Sequence, residues 1–334
     1  MAHKTSTMFA TLHPDIIHTH ILTRLDGATL ASFASASSLT HRLCTQQQLW
    51  RRICIATWPS LLNPTASHVI STLPNTHRSL FSDAFPSLHH FSFLPRGPSP
   101  PSPPPPELIS AVDVYYKGIP VLSRVKRTDT QKNWFLPSQF WVDALEPNEV
   151  VPTTVKFARR KDEEWLKHLE DNLTLSWIVM DPTRKRAANV SSRRAVSAQR
   201  HWLTREVEVM YAAVMAGERQ GAATEMVQCV VKVTCCGKVG GEMQVREVNL
   251  VMEDCEGGQV SGKEGVVILQ RAMENGERKR VELDGVEAKE RFEKFTRLMR
   301  RKRESMRKRE KARDLVSMLL AFLACLLFCF LAGL

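Results

Sequence analysis

The sequence predicts an α+β protein with three parts. These are a small three-helix unit, a β-rich antiparallel (sandwich-like) domain, and a long basic helix running into a single C-terminal transmembrane helix. Three observations lead there. An apolar stripe at helical spacing opens the chain, and alternating or β-branched runs fill its middle. A heavily charged helix then gives way to a run without any charge, Leu315 to Leu334. Composition shifts divide the chain at residues 10–60, 61–106, 107–284, 285–314 and 315–334.

The opening unit reads as three helices. Pro14 suits a first helical position and Asp15 a first turn, while Asp26-Gly27 ends the segment. "ATLASFASAS" makes the second helix, with Leu30, Phe33 and Ala34 on one side. "QQQLWRRICIATW" makes the third, with Leu49, Trp50, Ile53 and Cys54 inward, and Pro59 forbids its continuation. In the first helix Ile17, Ile21 and Leu25 share a stripe, which Ile16 and Leu22 widen beyond the needs of one small hairpin. A unit this small buries little surface, so the surplus points to a groove on a second protein. The alternative is a helical cap whose apolar face covers the sandwich. The run "LPRGPSPPSPPPP" favours the first reading, because polyproline stays extended and acts as a spacer.

The middle region is strand-like. "AVDVYYKGIPVLSRV", "PTTVKFARR", "NLTLSWIVMD", "EVEVMYAAVM", "EMVQCVVKVTCC" and "GEMQVREVNLVMED" are bounded by Gly, Pro, Asn and Asp. "DEEWLKHLED" and "SGKEGVVILQRAME" read as helices between them. Strands without a regular βαβ rhythm favour antiparallel sheets over a doubly wound fold.

Length and charge bound the rest. With 334 residues and 43% hydrophobic side chains, the chain can bury a core, which excludes wholesale disorder. Between Arg297 and Asp314 stand ten basic and three acidic side chains, seven of the eleven net positive charges. The global charge therefore says little about the body. Beyond that block, about twenty residues at 1.5 Å each match a bilayer's hydrocarbon thickness. This reads as a tail anchor built from Leu315, Leu319, Leu320, Phe322, Leu326 and Phe330. The basic block and the body would stay on the cytosolic side, with the endoplasmic reticulum the expected membrane and lipids as partners. "RRKRESMRKREKAR" also reads as a nuclear-import signal, the alternative location. In that topology the acceptor patterns at Asn172 and Asn189 go unused.

No catalytic constellation emerges: no Walker loop, HExxH, GxSxG or GxGxxG is present. The eight cysteines form no CxxC pair, so a reduced chain without metal or cofactor is expected. His13, His18, His20 and His41 suit solvated helix positions. One internal loop, with Arg184, Lys185, Arg186, Arg193, Arg194 and Arg200, could meet an anionic partner or lie solvated between strands. Nucleic acid is not expected, since no aromatic-rich motif accompanies the charge.

Leu12, Pro14, Ile17, the Ile21-Leu22 pair, Leu25, Leu30 and Leu49-Trp50-Arg51, in that order, resemble the F-box. His13 interrupts the usual adjacent Leu-Pro, and "SSLTHRLC" lacks the tryptophan common after the second helix. "ELISAVDVYYKGIPVLSRV", "LSWIVMDPTRKRAANVSSRRAVSAQRHWL" and the basic, apolar tail are similar to plant F-box proteins with a carboxy-terminal membrane span. The resemblance implies a non-catalytic subunit that binds a Skp-type adaptor, and through it a cullin ubiquitin ligase, while the β-rich domain selects an unidentified protein substrate. It implies adaptor contacts at Leu12, Pro14, Ile17, Ile21 and Leu22, and helix-holding roles for Leu25, Leu30 and Trp50. The competing reading is a membrane-anchored protein- or ligand-binding module without a ubiquitin link.

Overall fold

The computed structural model describes residues 13–89, 103–157, 162–217, 226–238, 240–279 and 285–333. Its opening segment is not a regular α-helix. Helix α1 (Pro14–Ile16) passes into a π-turn (Ile17–Ile21) and a 3-10 turn (Leu22–Arg24). Asp26 then caps α2 (Gly27–Ala34) by accepting from the Thr29 amide. A helix not expected from the sequence, α3 (Ser38–Cys44), follows, started by a reciprocal capping box between Ser37 and Thr40. Helix α4 (Gln47–Thr57) lies where the sequence placed it.

The stretch read as a spacer is helical over much of its length. A 3-10 turn (Pro59–Leu62) leads to α5 (Pro64–Thr72) and α6 (Thr76–Ala84). Asn63 caps α5, and Pro64 sits in its first turn, where a missing N–H costs nothing. Proline here starts a helix rather than preventing one. Most of the proline run, residues 90–102, lies outside the described residues.

Two antiparallel sheets form the body. The four-stranded sheet runs β3 (Ile119–Asp129), β2 (Glu107–Tyr116), β6 (Leu173–Asp181), β7 (Arg186–Asn189). The six-stranded sheet runs β4 (Trp141–Asp143), β11 (Glu242–Asp254), β10 (Met226–Cys236), β9 (Val207–Ala216), β8 (Ser197–Arg200), with β5 (Val151–Lys156) also on β11. Helices α7 (Asp162–Asn172) and α8 (Gly262–Asn275) match the two expected between strands. The short β1 (Ser87–His89) pairs with β12 (Glu277–Lys279), clasping the helical unit to the far end of the body.

Strand periodicity explains the layering. On β2 and β6, Leu108, Val112, Val114, Leu175, Trp177 and Val179 point to the six-stranded sheet and form the main core with Val209, Tyr211, Val231 and Leu250. The alternate residues Ile109, Ala111, Ile178 and Met180 point the other way, into a second core shared with Ile17, Leu22, Leu30, Trp50, Ile70 and Leu80. The helical unit therefore covers the outer face of the four-stranded sheet, which is the alternative weighed against a unit held apart. Burying each large aliphatic on that face contributes about 1.5–3 kcal/mol, enough to fix the two together.

Helix α9 (Val286–Gly333) is one continuous helix of 48 residues. Phe295, with Leu298 and Met299, packs over Val214, Met226 and Cys255 on the outer side of the six-stranded sheet. Among the described residues no helix is long and apolar enough to cross a membrane. The expected transmembrane tail anchor, single-pass topology and membrane location are corrected accordingly. The heavily charged stretch Val286 to Asp314 makes up the larger part of the helix. Leu315, Leu319, Leu320 and Phe322 are exposed, while the side chains of Leu326 and Phe330 lie outside the described residues.

Candidate adaptor-binding site

The opening segment is shaped by its π-turn. The Leu22 amide donates to the Ile17 carbonyl, five residues back, so residues five apart come to share a face. Ile17 and Leu22 are accordingly both buried, at 2% and 0% exposure. An ordinary helix would instead have paired Ile17 with Ile21, which the structure leaves half-buried. Ile16 faces outward with 47% of its surface exposed, and His20 is exposed beside it.

Side chains lock this geometry. Thr19 and Thr23 donate to the carbonyls of Asp15 (2.7 Å) and Thr19 (2.6 Å), bending the segment locally. Arg52 of α4 donates to the Thr23 carbonyl and ties the segment to the bundle. Beneath it Leu30 and Trp50 are buried and Leu25 is half-buried against the same cluster. The Trp50 indole donates to the Cys44 carbonyl at 2.7 Å, and its ring meets Phe81 at 5.2 Å. Phe81 packs so close to Gly27 that a Cβ there would lie 2.2 Å from the ring.

The residues expected to meet an adaptor thus divide. Ile17 and Leu22, five residues apart across the π-turn, are buried in the second core. Ile21 keeps an outward edge. Leu12 lies outside the described residues, as does the Pro14 side chain. Sequence reasoning passed over Ile16 as a site residue, since an α-helical wheel gives no sign of the five-residue turn.

Within the basic loop, Arg184 and Arg186 face carboxylates of the chain itself. Arg184 pairs with Glu274 at 2.5 Å and approaches Asp181 at 3.5 Å, and Arg186 grips both Asp83 oxygens at 3.0 and 3.1 Å. Arg200 donates to the Arg205 carbonyl and lies over the Phe157 ring. Lys185 occupies a turn with φ of 54°, and Arg194 packs against Gly285. Arg193 contributes its carbonyl to the Leu175 amide. Arg184 and Arg186 thus spend their charge inside the chain, tying α8 and α6 to this part of the four-stranded sheet.

Other polar groups hold the layers together. Asp113 accepts from the Ser60 amide (2.9 Å) and from the hydroxyls of Ser60 (2.5 Å) and Ser123 (2.6 Å). Burial pushes its carboxyl above the usual range, while the serine bonds pull it back. Asn189 accepts from the Trp177 amide and donates to Ser176, and Asn172 donates to the His168 carbonyl. Both acceptor-pattern asparagines therefore have their amides engaged. Among the described residues no group of three or more His, Cys, Asp or Glu side chains could hold a metal ion.

Fold and site together describe a β-sandwich body carrying a helical unit that keeps an apolar outward edge. Comparison with known proteins assigns it. The chain is 42% identical to the Arabidopsis thaliana F-box protein At2g27310 over 94% of its length and 93% of that protein's. It is 42% identical to F-box protein At3g44326 (86% of this chain, 79% of the relative) and 40% identical to Probable F-box protein At2g36090 (96% and 93%), both from Arabidopsis thaliana. No family model matches, and no solved structure matches. The chain belongs to the plant F-box proteins.

Proposed function

We propose that this protein is the substrate-recognition subunit of a Skp–cullin–F-box ubiquitin ligase. It works without chemistry of its own: the helical unit binds a Skp-type adaptor, and the β-sandwich presents a protein target. Holding the target's lysines beside a ubiquitin-charged enzyme raises their effective concentration. The carrying observation is the near-full-length likeness to F-box proteins, seated on a unit whose Ile16 and Ile21 are left over from its own core. The F-box resemblance adds Leu12 and Pro14 to the adaptor contacts in this reading.

The test is co-purification with a Skp-type adaptor. Ile16→Asp combined with Ile21→Asp should lose the adaptor while the circular dichroism of the chain stays unchanged. Ile17→Asp would be a poor probe, because a buried charge unfolds the unit whatever it binds. Unchanged adaptor recovery with the double substitution would overturn the proposal.

A further inference from the structure

Helix α9 leaves the body at one place. Phe295, Leu298 and Met299 pack on the outer side of the six-stranded sheet, and from Arg303 to Cys325 every side chain is exposed. Between these stretches Lys302 reaches the turn that follows β11, where its ammonium donates to the Cys255 sulfur at 2.8 Å. Among the described residues no other cysteine has a lysine in hydrogen-bond contact with its sulfur.

Both partners are held in place. The Asp254 carboxylate accepts from the amides of Glu256 (2.9 Å) and Gly258 (2.8 Å), and Gly257 takes φ of 82°. Arg303 donates to the carbonyls of Glu256 and Gly257, at 3.4 Å each, fastening the helix to the same turn. A thiol and an amine 47 residues apart in sequence are thus fixed against one another. Cys255 is 1% exposed, but Lys302 keeps 34% of its side chain in water. The thiol belongs to the small satellite cluster with Val214 and Phe295, outside both large cores. Such a cluster opens locally at a lower free energy than a core, and hydrogen peroxide is a small visitor. Cys229 and Cys235, sealed between the sheets, have neither the amine nor the route.

We propose that Cys255 and Lys302 form a redox clamp, in which peroxide drives a sulfur–nitrogen bond that pins α9 to the six-stranded sheet. The thiol first takes one oxygen from hydrogen peroxide, giving a sulfenic acid and one water. The Lys302 ammonium passes a proton to water or to the Glu256 carboxylate 4.0 Å away. The freed lone pair attacks the sulfur, hydroxide leaves, and it takes up a second nitrogen proton as water. Sulfur is oxidised, both peroxide oxygens are reduced, and a thiol reductant reverses the bond. This clamp does not depend on the ligase reading.

The experiment treats the full chain with hydrogen peroxide, cleaves it after glutamate and weighs the peptides. Residues 254–256 should emerge joined to residues 294–304, the pair being lighter than the sum of its parts by about 2 Da, the two hydrogens lost. Dithiothreitol should part them. Lys302→Arg keeps the charge without a nucleophilic amine, so there the reaction should stop at a Cys255 sulfenic acid that dimedone labels. Cys255→Ser should give neither product. The proposal is overturned if Cys255 stays a thiol at peroxide concentrations that oxidise the exposed Cys325. It is equally overturned if Cys255 in the natural chain runs on to sulfinic acid unlinked, pairs with another cysteine instead, or stays linked to residues 294–304 in Lys302→Arg.

Discussion

Asp113 shows how one residue can register the contact between two layers. Its carboxyl reaches Ser60 of the helical unit and Ser123 of β3 at once, and burial pushes its pKa above the ordinary 3.8. The folded chain therefore holds this proton more tightly than the unfolded chain does. A raised carboxyl contributes stability that is complete at low pH and fades as the pH climbs through the folded pKa. Asp113→Asn cannot titrate, so its disadvantage relative to the natural chain should shrink on going from about pH 4 to about pH 7. Denaturant unfolding at both pH values checks this; a gap that widens toward pH 7 would contradict the burial argument. Asp113→Ala, which strands the Ser60 amide and two hydroxyls, should cost about 1–3 kcal/mol at either pH. Gly27 is a second sensitive position, and Gly27→Ala should lower the thermal midpoint by driving a methyl into Phe81.

Among the elements, what the sequence revealed depended on length. The long alternating runs became β2, β3, β5, β6, β9, β10 and β11, and the two amphipathic stretches became α7 and α8. Strands of three or four residues, such as β1, β4, β7, β8 and β12, are too short to show alternation and exist only because neighbours offer free edges. Helices α5 and α6 were hidden by composition, since Ser, Thr, His and Pro weigh against helix while Val69, Ile70, Leu80 and Phe81 at helical spacing weigh for it. In the opening segment the apolar stripe was legible, but the π-turn, which no helical wheel signals, set which of its members are buried: Ile17 and Leu22 inside, Ile16 exposed and Ile21 half-buried. Helix α9 was read from its start correctly and from its end wrongly, because absence of charge was taken for a membrane span. Its two halves should behave differently. Phe295→Ala removes a ring that is 1% exposed between α9 and the sheet, and should cost about 3–5 kcal/mol in a chemical unfolding titration. Removing residues 315–334 should leave the thermal midpoint of the body unchanged, because the described side chains there pack against nothing in the chain. A fall of several degrees on that truncation would mean the tail supports the sheet.

For the molecule as a whole, the decisive feature is that the helical unit is part of the sandwich's core. Ile109, Ala111, Ile178, Met180 and Ala187 are each fully buried, and all face the helices rather than the second sheet. Three polar ties reinforce the contact: Asp113 to Ser60, Asp83 to Arg186, and Arg278 to the Asp83 carbonyl. Burial lowers the Arg278 pKa, and the neighbouring Asp83 carboxylate opposes that shift. A chain beginning at Glu107 would open that apolar face and leave Asp113, buried in the intact protein, without its helical partner. The lost burial amounts to several kcal/mol, comparable with the total stability of a typical domain, about 5–15 kcal/mol. The fragment of residues 107–334 should therefore bind a hydrophobic dye and lack the cooperative melting transition of the intact chain. A fragment that melts as sharply and as hot as the full protein would show instead that the sandwich stands alone, and that the helical unit is free to swing with its adaptor. The expected result bears on the proposed function: if the chain is a ligase receptor, a helical unit fixed to the sheet makes this interface set the direction in which a target is held. Substitutions at Ile109 or Ile178 should then slow ubiquitin transfer even when adaptor and target both still bind, because misplacement by about 1 Å in a positioned reaction is already costly.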